Sequence, residues 1–575
     1  MNERTKTGLE ILQAAVLLGV LGDVMLRETP WGLNVLLFIG ALAAAFVMLV
    51  LRRKREFWNA QTIALNAALV FFAAMFVWRD SMELKTFDAL AILTILAILT
   101  LPALKIKTRV AGVFHYFIGF VWSGISAAFA PFFLFFNDVE WKTIPQTGWS
   151  KHLIAVLRGL LIAAPLLLIF GALFVAADAV FQGIVERTFN IQPDQVVAHI
   201  FFIGFFSWIV AGYLRGSLIE NFAGDVAETF LEPKHGIKPQ VLSVTEIKDE
   251  EAPKPVPSVT EIKDEETPKA EVPPKTEETT KTEEVKSWNW QNLDNTALPK
   301  VLTLGAIELS IVLGLINLLF LSFVIVQVPY LFGGFELVQN TPDFKLAEYA
   351  RRGFGELVAV AALVLPILLV SHWLLRKDSS VNEKIYRVLA GVQIALLFVI
   401  MISAAQRLFV LTGNLGYGLT TVRFYPFVMM IWLAVVFVWF ALTVLRAARE
   451  RFAWGALWSA LVILGALHFV NPDDYIVRTN IRLMKEGRPF DAYYNANLSD
   501  DAIPAVFENL PAMNAEQQCT AIRALYQKRY KAAFGEQSDF RSWNLARATA
   551  KNELELNKET LFRPGCTSSS ATFRR

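Results

Sequence analysis

Residues 31–55 read WGLNVLLFIGALAAAFVMLVLRRKR. No side chain from Trp31 to Leu51 is charged, and then Arg52, Arg53, Lys54 and Arg55 follow without a break. A bilayer core takes about 20 apolar residues of helix to cross. Only a helix or a closed barrel satisfies its own backbone hydrogen bonds there. Lys and Arg gather on the cytoplasmic side of such spans. This one stretch therefore gives both a crossing and a direction. About twelve runs of this kind occur, beginning near Leu9, Trp31, Phe57, Leu84, Val110, Leu153, Val197, Pro299, Gly353, Lys384, Val422 and Trp454.

The whole chain carries the same signature. Of its 575 residues, 55% are apolar and 18% charged, and mean hydropathy is +0.44. A soluble chain of this length does not have that balance. The expected class is all-α: a polytopic helical membrane protein with roughly 11–12 transmembrane helices, a disordered linker and a small helical C-terminal domain. The boundaries read as a bundle over 1–219, a charged linker over 220–298, a second bundle over 299–470 and a polar tail over 471–575. Net charge is +2, so nothing marks a nucleic-acid binder. The first run carries Glu10 and Asp23 and lacks a small-residue cleavage site, so it reads as an uncleaved span.

Charge orients each half. Besides Arg52–Arg55, basic clusters occur at Lys105, Lys107 and Arg109, at Arg376, Lys377, Lys384 and Arg387, and at Arg446, Arg449 and Arg451. Placing all four inside puts loops 27–30, 79–83, 329–352 and 411–421 outside, and the tail after Asn471 with them. The halves then need an even number of crossings between Arg109 and Pro299, yet three runs lie there. The segment 110–136, with Gly119, Ser123, Gly124, Ser126 and Pro131, is the expected exception, as a re-entrant or hairpin segment. The alternative is three true spans with the linker outside.

The linker is Pro-rich and polar, and it repeats SVTEIKDEE at Ser243–Glu251 and Ser258–Glu266. Two copies cannot stack into a core, and so few apolar groups cannot offset chain entropy. It is expected to tether the halves or to dock a protein partner. Both cysteines, Cys519 and Cys566, lie in the tail, so one intramolecular disulfide can form there in an oxidising compartment, and two unpaired thiols otherwise. Ser499 suits a helix cap before Asp500, and Asn514 a second one.

Ionisable side chains inside spans are costly and mark candidate sites. Asp178, Glu308 and Arg407 are the intramembrane candidates, each with a structural reading as a helix lock or an interfacial charge. Glu348, Arg351, Arg352 and Glu356 form the densest constellation. Glu348, Arg352 and Glu356 share a helix face at four-residue spacing, which reads as an ion-paired collar holding the helix; the alternative is an anion or headgroup site, with Arg351 pointing elsewhere and free to bind phosphate or carboxylate. There is no HExxH and no CxxC, so neither a metal nor a cofactor is expected.

Four stretches, EYARRGFGEL at Glu348–Leu357, YGLTTVR at Tyr417–Arg423, the Asn471-Pro472-Asp473 turn and LSDDAIP at Leu498–Pro504, together resemble the bacterial multi-pass proteins of domain of unknown function 4173. Residues 158–181 are similar to the start of that family's core, and the linker looks like an insertion. The resemblance implies a bacterial cytoplasmic (inner) membrane protein and carries over no activity or catalytic residue. Three function classes stay open: signalling or scaffolding through linker and tail, a transporter or permease, and a membrane enzyme acting on lipid-linked substrates. The first is preferred, because the spans are poor in polar residues and no nucleophile–base constellation is visible. The lipid bilayer is the expected partner of the comb.

Overall fold

The computed structural model describes residues 2–141, 193–219, 303–332, 354–376, 380–410, 412, 418–530, 539–563 and 566. They fall in one unit, Met1–Phe222 with Trp290–Arg575. The predicted run at 153–181 and the linker over 220–298 lie outside the described residues. Among the described residues there are 11 helices long and apolar enough to cross a membrane, and the chain is an all-α, multi-pass membrane protein.

The first half holds α1 (Glu3–Leu26), α2 (Leu33–Arg53), α3 (Ala60–Trp78), α4 (Met82–Leu99), α5 (Val113–Phe133, prolonged by a π turn over Leu134–Asp138) and α6 (Pro193–Leu218). The second holds α7 (Ala306–Phe332), α8 (Phe354–Leu374), α9 (Ser380–Phe409), α10 (Thr421–Thr443) and α11 (Phe452–Val470). Local chemistry sets several boundaries. Asn2 and Asn59 accept backbone N–H groups at the starts of α1 and α3, relieving donors that a helix leaves open. Asn471 takes a left-handed φ of 53° and stops α11.

Contacts fix the directions. Arg53, ending α2, pairs with Glu3 at 2.8 Å and Glu10 at 2.6 Å near the start of α1. Leu304, just before α7, bonds Leu374 and Arg376 at the end of α8. Helices α3 and α11 run parallel: the Trp78 and Phe469 rings lie 5.0 Å apart, and Gly465 packs on Phe71 one level down. The ends of α2, α4, α8 and α10 therefore share one end of the bundle. The described residues of all four basic clusters belong to it, so it is the basic end.

Residues 110–136 depart from expectation. They form neither a hairpin nor a re-entrant loop but one continuous helix, α5, continued by its π turn. It starts beside the end of α4, where the carbonyl oxygen of Ala97 lies 2.9 Å from the position a Cβ on Gly119 would take. It finishes beside the start of α1, where Val139 Cγ2 lies 2.9 Å from the Cβ position of Gly8 and Asp138 meets Arg4 Nε at 2.6 Å. Both places are at the basic end, so α5 does not join the two ends. Between them it crosses α6 closely. A Cβ on Gly212 would stand 2.6 Å from the Ala127 carbonyl oxygen, and one on Gly216 2.5 Å from Ser126 Cβ. Small residues four apart let helix backbones approach where water is absent. Gly119 and Ser126, which suggested a break, are instead close-packing positions, while Gly124 faces open space. Gly212→Leu should separate α5 from α6 and cost about 1–3 kcal/mol, read as a lower thermal transition in detergent.

The tail folds as short helices: α12 (Pro472–Lys485), α13 (Ala492–Ala496), α14 (Ile503–Asn509), α15 (Ala515–Ala524), α16 (Leu545–Leu556) and α17 (Lys558–Leu561). Ile476, Ile503, Ile522 and Leu554 bury their side chains in a core that also takes Leu84, Phe424 and Leu467 from the bundle. Asn514 caps α15 with Gln517 reciprocating. Ser499 stands before a 3-10 turn at Asp500–Ala502, not an α-helix, and its side chain makes no cap hydrogen bond. Cys519 and Cys566 form a disulfide.

Candidate functional site

The polar side chains that the fold gathers most densely lie where the tail meets the bundle, at the end opposite the basic clusters. The α3–α4 turn contributes Arg79, Asp80, Ser81 and Glu83. Arg79 Nη1 donates to Asp501 Oδ1 at 3.2 Å, and the Asp80 and Ser81 N–H groups donate to Asp501 Oδ2 at 2.7 and 3.2 Å. Asp501 thus holds the two N–H groups that immediately precede α4, from a position 421 residues away in sequence. Asn544 Nδ2 donates to the Phe76 and Arg79 carbonyls at 2.7 and 2.8 Å, closing the end of α3. The Leu33 N–H donates to the Trp543 carbonyl at 3.0 Å, at the start of α2.

The second half is held the same way. Asn480 Oδ1 accepts from the Leu419 N–H at 2.6 Å, while its Nδ2 donates to the Leu419 carbonyl and Asn495 Oδ1, both at 2.9 Å. Gly418 has φ of 70°, and a Cβ there would lie 2.7 Å from Asn480 Oδ1. Glycine is required on both counts. The Thr421 N–H donates to Tyr494 Oη at 2.9 Å, so Thr421 is the first residue of α10 rather than its cap.

Beneath this layer, His468 Nε2 of α11 lies 2.9 Å from Asp88 Oδ1 of α4, both essentially inaccessible. His468 Nδ1 and Asp88 Oδ2 have no partner among the described residues. The pair ties the first half to the second, and Arg79 Nε donates to the His468 carbonyl at 2.7 Å. Asp80 Oδ1 receives Lys85 Nζ at 2.6 Å and Arg547 Nε at 2.8 Å.

Burial pushes two tail carboxyls up. Asp501 lies above the usual carboxylate range, because burial outweighs its hydrogen bonds and Arg79. Asp473 is pushed up to about 6 by burial, opposed by the Ser499 hydroxyl and N–H and aided by the Glu83 and Asp501 charges. Its Oδ2 accepts that N–H at 3.2 Å, and Oδ1 is buried without a partner among the described residues. A carboxyl whose folded value is raised stabilises the fold below the ordinary value and loses that contribution as pH climbs through about 6. The tail seat should therefore be about 1 kcal/mol weaker at pH 7.5 than at pH 5 from this group. Asp473→Asn should flatten the dependence, measured as the thermal transition at the two pH values.

The residues singled out from sequence distribute differently. Glu308 lies in the first turn of α7, where its Oε2 accepts the Gly305 N–H at 3.0 Å, a cap at the basic end. Arg407 lies in the last turn of α9, near the start of α10, where Phe409 meets Phe427. The two are at opposite ends of the bundle. Asp178, Glu348, Arg351 and Arg352 lie outside the described residues, as does the side chain of Glu356. Sequence reasoning passed over Asn480, Asn544 and His468. His468 carried a legible signal, an ionisable group inside an apolar run with a carboxylate in another. The two asparagines carried none, since the helix-end partners they hold are backbone atoms far off in sequence.

One family model matches the chain, that of Domain of unknown function (DUF4153), over residues 66–220 and 269–509, more than half of the sequence. The interruption falls inside the 220–298 linker. The match does not extend to domain of unknown function 4173. No curated protein and no solved structure matches the chain.

Proposed function

The chain belongs to the DUF4153 family, and on that premise we propose that it is an envelope scaffold or signalling protein of the bacterial cytoplasmic membrane. Its bundle presents a disulfide-stapled helical tail on the extracytoplasmic face, and the tail and the 220–298 linker make the protein contacts. The observation that carries this reading is the junction. The buried Asp501, Asn544 and Asn480 each hold the tail on the helix ends. Two features support the sidedness. The four basic clusters gather at one end, as cytoplasmic ends do, and the disulfide belongs to an oxidising compartment, at the other. A transporter would draw Glu308 and Arg407 toward one polar cavity near midplane, and they stand at opposite ends. The likeness of the four motifs to domain of unknown function 4173 is part of the same proposal, since three of them, through their described residues 418–423, 471–473 and 498–504, converge on the junction.

Photocrosslinking amino acids placed at the exposed Tyr493 and Leu556 test the reading in intact cells. Discrete protein adducts, lost when Asp501→Ala loosens the tail, are expected. No protein adduct from either position or from Ile262 in the linker would overturn it.

A further inference from the structure

A second feature lies at the opposite end of the bundle. Helices α10 and α11 leave between them an apolar groove of about 430 Å³, lined by Val435, Val438, Trp439, Leu442, Gly455 and Ser459. Val435 and Val438 are 42% and 49% exposed, so the groove opens sideways to the surroundings of the bundle. Its floor is built rather than incidental. Trp439 Nε1 donates to the Arg451 and Phe452 carbonyls at 3.3 and 3.2 Å. Gly455 leaves room for the indole, which a Cβ would strike. The indole's polar edge is thereby satisfied and its apolar face is left to the groove.

The groove ends at the α10–α11 turn. Arg446 lies four residues beyond Leu442, in the turn that follows α10, and Arg451 four residues before Gly455, just ahead of α11, with Arg449 between them. Arg446 and Arg451 are exposed and Arg449 half-buried. None of the three makes an ion pair among the described residues. The one acid in the turn is Glu450. An apolar slot on the outer face of the bundle thus lies beside a turn that carries three arginines. Guanidinium forks match phosphate oxygens, and basic pockets between spans on the cytoplasmic side hold anionic headgroups.

We infer that the α10–α11 groove is a binding site for an anionic glycerophospholipid, with an acyl chain along Val435, Val438 and Leu442 and the headgroup phosphate on Arg446, Arg449 and Arg451. Charge complementarity selects this occupant. A zwitterionic lipid fills the groove but gains little from three cations, and a soluble phosphate gains nothing from the groove. The site stands apart from the tail junction and does not rest on the scaffold reading.

Native mass spectrometry of the full chain tests it, with dioleoyl phosphatidylglycerol and dioleoyl phosphatidylethanolamine offered in equal amounts. Phosphatidylglycerol should be retained in preference. R446Q/R449Q/R451Q should cut its retention about fivefold or more and leave phosphatidylethanolamine unchanged. Val438→Trp, which fills the groove and keeps the charge, should lower both. Soluble glycerol 3-phosphate should not compete. Equal retention of the two lipids, unchanged retention in the triple variant, or displacement by glycerol 3-phosphate would overturn the assignment. The triple variant alters exposed or half-exposed side chains at a turn, so it decides the matter even if Val438→Trp fails to fold.

Discussion

Replacing Asp501 with alanine should release the tail from the bundle at a cost of about 3–5 kcal/mol, the range for removing one partner of a buried charge pair. Three groups lose their acceptor together: the Arg79 guanidinium and the Asp80 and Ser81 N–H groups. Arg79 is largely buried, with 13% of its side chain exposed, so water cannot easily replace the carboxylate. The two N–H groups lie in the turn just before α4, and leaving buried donors unmade costs more than the average hydrogen bond gains. Asp501→Asn should be milder, since an amide oxygen still accepts from one N–H while the charge on Arg79 goes unbalanced. Trypsin cleavage within the tail at low enzyme, together with the first thermal transition, measures both variants. Equal resistance in wild type and Asp501→Ala would mean that the apolar contacts of Leu84, Phe424 and Leu467 hold the tail alone.

Arg215→Met should be as damaging, for a different reason. Arg215 and Asp138 are wholly inaccessible and directly paired, with Arg4 reaching the same carboxylate at 2.6 Å from a partly exposed position. Removing Arg215 leaves Asp138 buried in an apolar setting with one outer partner, at a cost again of about 3–5 kcal/mol. The pair anchors the far end of α5 to both α1 and α6, so its loss should also free α5 from the crossing at Gly212. The double variant Arg215→Met with Asp138→Leu should recover most of the loss, because replacing a whole buried pair by apolar groups of like volume is often nearly neutral. Thermal transitions of the two singles and the double give the coupling. A double variant as unstable as the sum of the singles would remove the pair from the account.

Much of this architecture was legible because the signals are local. An apolar run long enough to span is a property of consecutive residues, and the four basic clusters sit beside their spans, so the helices and the end each cluster occupies could be read directly. The Asn471-Pro472-Asp473 turn was legible for the same reason: a left-handed residue, a fixed φ and a first-turn acid all act within three positions. Helix α5 was only half legible. The charge pattern required one run between the halves to return to its own side, but Gly119, Ser126 and Pro131 read as breaks until their partners at Ala97, Gly212 and Gly216 were known. The junction was least legible. Asp501 looks like a first-turn helix acid, and its role depends on partners 421 residues away. The Asp88–His468 pair likewise spans 380 residues.

The central claim is that tail and basic clusters face opposite sides of one membrane, with the tail outside. Single cysteines at the exposed Glu559 and Glu56 test it most directly, since Cys519 and Cys566 are paired and silent to thiol reagents. A membrane-impermeant maleimide applied to intact spheroplasts should label E559C at once and E56C only after lysis. Labelling of E56C before lysis, or of both positions alike, would contradict the account.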